Sequence, residues 1–193
     1  KIINCIKIGI SNLIVHSSFR KGIEMENKYS ISAIGQDSHR FVSENEDKPL
    51  VLGGLTVKNE NGLEGNSDAD VLLHALTNAI SGITCKPILG AMADELCLKH
   101  HITDSSAYLE LALADLADCG YELAHISFTI QAKKPKFLPI INPIRESISK
   151  KINLPIDHIM LTATSGENLT EMARGEGIEA FCIITAIPLS EKA

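Results

Sequence analysis

Ser67-Asp68-Ala69-Asp70-Val71-Leu72-Leu73-His74-Ala75-Leu76-Thr77-Asn78-Ala79-Ile80 is the stretch on which the reading of the fold turns. Val71, Leu72, Ala75, Leu76, Ala79 and Ile80 recur at helical spacing and form one apolar stripe. Ser67 or Asp68 offers the oxygen that caps the first turn. A stripe this wide needs a second apolar surface against it. Working outward, Ile31–Asp37, Leu50–Val57, Ile126–Ala132, Ile159–Ser165 and Ile178–Ile187 read as strands. Gly53-Gly54 suggests a bulge or a close backbone approach within the second of them. Asp104–Leu116, capped by Asp104 or Ser105 and followed by Gly120, and Pro139–Ile152 read as further helices. The expected fold is α/β (α+β), a single domain whose mixed sheet is covered by helices on one side.

The chain has 193 residues, enough for one domain with its own core. Trp is absent and aromatics are 4%, so Leu, Ile, Val and Ala must fill that core. A net charge of −6 argues against broad nucleic-acid binding, which needs a basic footprint, but leaves room for a small anionic ligand. The longest apolar run, Phe181–Leu189, is too short to span a membrane. Cys5, Cys85, Cys97, Cys119 and Cys182 are scattered and fit reduced thiols. Residues 1–28 form an N-terminal extension, expected to be disordered or leader-like, ahead of a domain over 29–193. Up to Lys21 the extension carries Lys and Arg but no acid. Read as a transit peptide it implies a plastid-like organelle; with Met25 as the start, a bacterial-type cytoplasmic protein.

Asp37 and His39 sit two apart at the end of a strand and so face the same way. His74 lies among leucines, where a histidine alone reads as a core residue. Asp70, four residues earlier, is placed to hold its second ring nitrogen. Asp, His, His is a ligand set that leaves a zinc-type centre one open position. Asn66 and Ser67 precede the helix, where backbone N–H groups favour an anion, although a plain cap explains them equally. Ala132-Lys133-Lys134-Pro135-Lys136-Phe137-Leu138 is a basic loop after a strand; on its own it reads as a surface turn. Thr164-Ser165-Gly166-Glu167 offers hydroxyls and N–H groups for phosphate and a carboxylate for a hard cation. Arg174 offers a fork for phosphate or carboxylate, and Gly175 and Gly177 after it permit a tight approach.

Taken in order, Gly35-Gln-Asp37-Ser38-His39, Leu52-Gly-Gly-Leu55, Ser67-Asp-Ala-Asp70 through His74-Ala-Leu76, Lys134-Pro-Lys136-Phe-Leu-Pro139, Ala163-Thr-Ser-Gly-Glu167 and Arg174-Gly-Glu-Gly-Ile178 resemble the 2-C-methyl-D-erythritol 2,4-cyclodiphosphate synthase family. The resemblance implies a homotrimer with sites between subunits. It implies Zn²⁺, or another divalent transition metal, on Asp37, His39 and His74, and Mg²⁺ or Mn²⁺ on a substrate diphosphate within reach of Glu167. It implies a cytidine diphosphate ester as substrate, its cytosine against Ala132–Leu138 and its phosphates facing Thr164 and Ser165. Arg174 and Glu176 would lie near the trimer axis. Substrate contacts are expected from Asp37, Ser38, His39, Asn66, Ser67, the 132–138 loop, Thr164, Ser165, Gly166, Glu167 and Arg174. Asn66 and Ser165 are expected to stabilise charge in the transition state. Neither a nucleic acid nor a membrane is an expected partner.

The chain departs from the family pattern in three places. Asn66 stands where His is usual, Ser165 where Thr is usual, and Ile88 near the position of an Asp that holds the sugar alcohol, for which Asp94 or Glu95 could substitute. An alternative reading follows from the departures at Asn66 and Ile88: a catalytically impaired, metal-binding trimer that still binds a phosphorylated ligand.

Overall fold

The structure, a computed structural model, describes residues 29–43 and 45–189. The expected extension over 1–28 and the last residues of the expected domain, 190–193, lie outside them. The elements run β1 (Ile31–Arg40), β2 (Pro49–Leu52), β3 (Leu55–Asn61), α1 (Val71–Thr84), α2 (Ala91–His100), α3 (Ser105–Asp118), β4 (Tyr121–Gln131), α4 (Ile141–Ile152), β5 (Ile159–Thr164), α5 (Glu171–Arg174) and β6 (Gly177–Pro188). Four strands form a mixed sheet in the order β1-β6-β4-β5. β6 runs antiparallel to both neighbours, and β4 and β5 are parallel, joined through α4 as parallel strands require. β2 and β3 form a separate hairpin.

Alternation explains the single helical layer. In β1, Ala33, Gly35, Asp37 and His39 face the helices, while Ile34, Gln36, Ser38 and Arg40 face away and are exposed. Gly35 is the point of closest approach: a Cβ there would lie 2.1 Å from the carbonyl oxygen of Ala75 and 2.4 Å from the nitrogen of Ala79. The small residues of α1 therefore rest directly on β1. With α3 packed on its other side, α1 is buried from Val71 to Thr77. The core is aliphatic, as the composition requires, with Leu50, Leu52, Leu72, Leu76, Ile126 and Ile184 fully buried. The opposite sheet face is bare among the described residues and carries Ile34, Met160, Phe181 and Ile183, 61%, 45%, 40% and 51% exposed.

Three local expectations are corrected. First, α1 begins at Val71, and its cap is Asp70 rather than Ser67 or Asp68. Asp70 Oδ1 accepts from the nitrogens of Leu72 and Leu73 at 3.1 Å each. Second, Leu50–Val57 is not one strand but most of a hairpin. Gly53 and Gly54 form its turn with φ of +62° and +74°, and their N–H groups donate to the same Asp70 carboxylate at 2.9 and 2.6 Å. One buried carboxylate thus ties the hairpin to the helix. Third, α2 was not expected, because its weak periodicity leaves Cys97 as its one buried residue. Among the described residues no helix is long and apolar enough to cross a membrane.

Candidate active site

β1 and α1 bring Asp37, His39 and His74 together. Asp37 Oδ2 lies 3.1 Å from His39 Nε2 and 2.9 Å from His74 Nδ1, and one ligand atom from each residue falls within 4.8 Å of the other two. Strand alternation aims the first two; the close α1–β1 contact aims the third. Three lone-pair donors thus converge on a small space, and their N/O chemistry suits a borderline divalent cation of the zinc type. Burial raises the Asp37 pKa, but hydrogen bonds and charge from His39 and His74 outweigh it and bring the carboxyl down to about 2. The hydrogen bond to Asp37 raises the pKa of His39 against the opposing effect of burial.

The expected role of Asp70 beside His74 is not borne out. Its carboxylate is spent on four backbone N–H groups. The second ring nitrogen of His74, Nε2, instead meets the hydroxyl of Ser105 at 2.8 Å. Ser105 in turn makes a short hydrogen bond to Asp68. Nothing in the sequence marks either as a partner of His74; Asp68 and Ser105 each read there as a possible helix cap.

The triad opens into a cavity of about 280 Å³, whose walls include Asn66, Ser67, Gly90, Asp94, Cys97 and Tyr108. Lys48 steadies the near wall by donating to the carbonyls of Gly65 and Ser67 at 3.0 and 2.7 Å. The thiol of Cys97 donates to the Asn66 carbonyl at 3.0 Å. Ile88 is buried and offers the cavity no carboxylate. Of the two candidates to replace it, Asp94 lines the cavity, whereas Glu95 pairs with Lys99 at 3.0 Å in full solvent.

The other expected substrate residues gather elsewhere. Ala132–Leu138 and Thr164–Glu167 leave the carboxyl ends of the parallel strands β4 and β5 side by side, with Ala132 N donating to Thr164 O at 3.1 Å. Lys133, Lys134, Lys136 and Leu138 are exposed, while Ala132, Pro135 and Phe137 are buried and fix the loop. Lys134 Nζ sits 4.6 Å above the Phe41 ring. Ser165 Oγ donates to Glu167 at 3.2 Å, and Gly166 N to Thr164 Oγ1. These segments do not line the triad's cavity. Register puts Ser38, Glu179, Gln131 and Thr164 in one row across β1, β6, β4 and β5. The β5 end is thus three strand spacings, about 14 Å, from the β1 end. Ser38 itself points to the bare face. Arg174 is held by Glu171 at 3.0 Å and Glu176 at 3.6 Å, and Glu176 also binds Arg40.

The YgbB family pattern matches residues 31–187. A curated 2-C-methyl-D-erythritol 2,4-cyclodiphosphate synthase from Chlamydia trachomatis serovar A is 47% identical over 152 residues, covering 79% of this chain and 85% of its own. Among solved structures, the bifunctional IspDF from Campylobacter jejuni aligns with a TM-score of 0.76 at 27% identity, over 84% of this chain and 43% of that one. This chain spans less than half of that bifunctional protein. A 2C-methyl-D-erythritol-2,4-cyclodiphosphate synthase in a CDP-bound form aligns with a TM-score of 0.67 at 26% identity, over 81% of this chain and 99% of that one.

Proposed function

The chain belongs to the YgbB family, and from that premise we infer that it converts 4-diphosphocytidyl-2-C-methyl-D-erythritol 2-phosphate to 2-C-methyl-D-erythritol 2,4-cyclodiphosphate with release of CMP. The observation that carries the reading is the convergence of Asp37, His39 and His74 at a cavity, in a chain this similar to synthases along most of its length. The alternative of a trimer that only binds is not favoured, since the curated relatives are synthases.

In the reaction the 2-phosphate oxygen attacks the β-phosphorus, the bond from that phosphorus to the CMP oxygen breaks, and the ring closes. Both reacting groups are anionic: two unit charges 4 Å apart repel by about 4 kcal/mol at an effective dielectric near 20. Asp37, His39 and His74 would hold a divalent cation, which when bound supplies Lewis-acid neutralisation of phosphate charge. The residues of the chain position and donate. Asn66 presents an uncharged amide donor from the cavity wall, with its loop held by Lys48. Asp94 is the carboxylate available to accept from the sugar-alcohol hydroxyls. Thr164 and Ser165 would hold phosphate oxygens, and Glu167 the Mg²⁺ or Mn²⁺ that accompanies the diphosphate. The Ala132–Leu138 loop would take the cytosine.

The two halves of this site lie about 14 Å apart in one chain, estimated from the strand spacing. A homotrimer with the bare, apolar sheet faces inward would join one subunit's nucleotide segments to the neighbour's triad, and would cover Ile34, Phe181 and Ile183. The bacterial relatives are in keeping with a cytoplasmic setting. Phosphorus NMR of the purified protein with substrate, Mg²⁺ and Zn²⁺ tests the reading. Equimolar CMP and cyclic diphosphate are expected; CMP with an uncyclised 2,4-bisphosphate would make the protein a hydrolase, and no release would make it a binding protein.

A further inference from the structure

We propose that Ser105 and Asp68 are positioning residues that set the tautomer and orientation of His74, and thereby the strength of the metal centre. This rests on the reading of Asp37, His39 and His74 as that centre. The hydrogen bonding has a direction. An ionised carboxylate can only accept, and a serine hydroxyl has one proton to donate. Ser105 Oγ makes its short bond to Asp68 Oδ1, so its proton goes there. Towards His74 Nε2, 2.8 Å away, the hydroxyl can therefore only accept. Nε2 then carries an imidazole proton, and Nδ1, 2.9 Å from Asp37, is the nitrogen that a cation would take in place of a proton. Partners of this kind on a ligand imidazole fix the ring and raise its basicity.

The surroundings make the relay rigid. Ser105 is fully buried and His74 nearly so. Asp68 is itself anchored: its nitrogen donates to Thr103 O at 2.8 Å, and its carboxylate accepts from Asp70 N at 3.3 Å and Ser105 N at 3.2 Å. Capping does not account for the Ser105 hydroxyl. Asp70 caps α1, and Asp104 caps α3 through Ser106 N at 2.8 Å. The hydroxyl bonds to Asp68 and His74, and Ser105→Ala removes it while keeping the backbone bond from Ser105 N to Asp68.

The test measures Zn²⁺ affinity by competition with a chromophoric chelator, records the visible spectrum of the Co²⁺-loaded protein, and melts the metal-free protein. Ser105→Ala should bind Zn²⁺ about 10- to 100-fold more weakly, with a changed Co²⁺ spectrum and a metal-free melting temperature close to that of the wild type. Asp68→Asn, of the same size, should shift both metal readouts the same way. If Ser105→Ala does not fold, Asp68→Asn decides by the same criteria. Wild-type affinity and spectrum in the folded variant would overturn the relay while leaving the centre intact. A wild-type protein that binds neither metal would overturn the centre and the relay together.

Discussion

Asp37 shows how a site conditions its own charge. Left alone, its burial would favour the neutral acid; the two imidazoles reverse that and lower its pKa from 3.8 to about 2. A lowered carboxyl contributes stability that is present above its unfolded pKa and lost as pH falls through the folded value. A raised histidine contributes stability below its unfolded pKa, lost as pH rises through the folded one. In the metal-free protein the Asp37–His39 pair therefore stabilises most between about pH 4 and 6.5. The Asp37 share is about 2 kcal/mol, and Asp37→Asn should abolish it. Melting temperatures of the metal-free protein from pH 2.5 to 8 check this, and a profile unchanged by the substitution would refute the pairing. His74→Ala should lose bound zinc and nearly all activity while remaining folded; a variant with stoichiometric zinc would return His74 to the core. Asn66 has no titrating proton. Asn66→His should keep the zinc and add an activity component between about pH 5.5 and 7.5, bracketing an ordinary imidazole pKa. Asn66→Ala should cost about 10- to 100-fold in kcat/KM, less than a fully preorganised donor because water reaches the site. Unchanged kinetics would leave Asn66 as a spacer beside the helix.

At the scale of elements, the contact between β1 and α1 is what the site depends on. Gly35 permits it, because any Cβ there would run into the α1 backbone. Gly35→Ala should cost about 3 kcal/mol, at the upper end for overpacking. It should also weaken metal binding, since pushing α1 away parts His74 from Asp37. Gly82, on the same helix, is the contrast. A Cβ there would meet the Cβ of Ala33 at 3.2 Å, so β1 and α1 need to part by only a few tenths of an ångström. The better helix propensity of Ala offsets that adjustment, so Gly82→Ala should change stability by less than about 1 kcal/mol and leave zinc affinity alone. Urea unfolding of both variants with zinc titration separates the two cases; equal effects would mean that the β1–α1 approach is not what aims His74.

For the whole molecule, the apolar sheet face that no described element covers is where the proposed trimer is tested. Phe181 and Ile183 stand exposed on the central strand β6, next to Ile34 on β1. Phe181→Asp with Ile183→Asp should give a folded monomer by sedimentation velocity. That monomer should retain the Asp37–His39–His74 centre, which lies on the other face, but lose CMP release, since the nucleotide segments would no longer meet a neighbour's triad. A double variant that stays trimeric would place the subunit contact elsewhere. One that becomes monomeric yet remains active would show that a single chain suffices.

Much of this was legible in one dimension. Alternation in Ile126–Ala132 and helical spacing in Val71–Ile80 are local steric facts, so most strands, the main helices and the single helical layer could be read directly. Strand alternation also put Asp37 and His39 on one face. Other features depended on packing between distant segments. Asp70 has the spacing of a partner for His74, yet the hairpin turn at Gly53-Gly54 and the first turn of α1 take its carboxylate, because packing brings four of their N–H groups, three of them buried, within reach of it. Ser105 and Asp68 lie 31 and 6 residues from His74, with no periodic relation to it, and only the stacking of α3 on α1 brings them to its second nitrogen. Asp94 and Glu95 are adjacent and chemically alike; which one faces the cavity was decided by how α2 docks. Sequence by itself determined the periodic elements and the ligand types. Tertiary structure decided which polar groups satisfy one another, because a buried donor takes whichever acceptor the fold brings within reach.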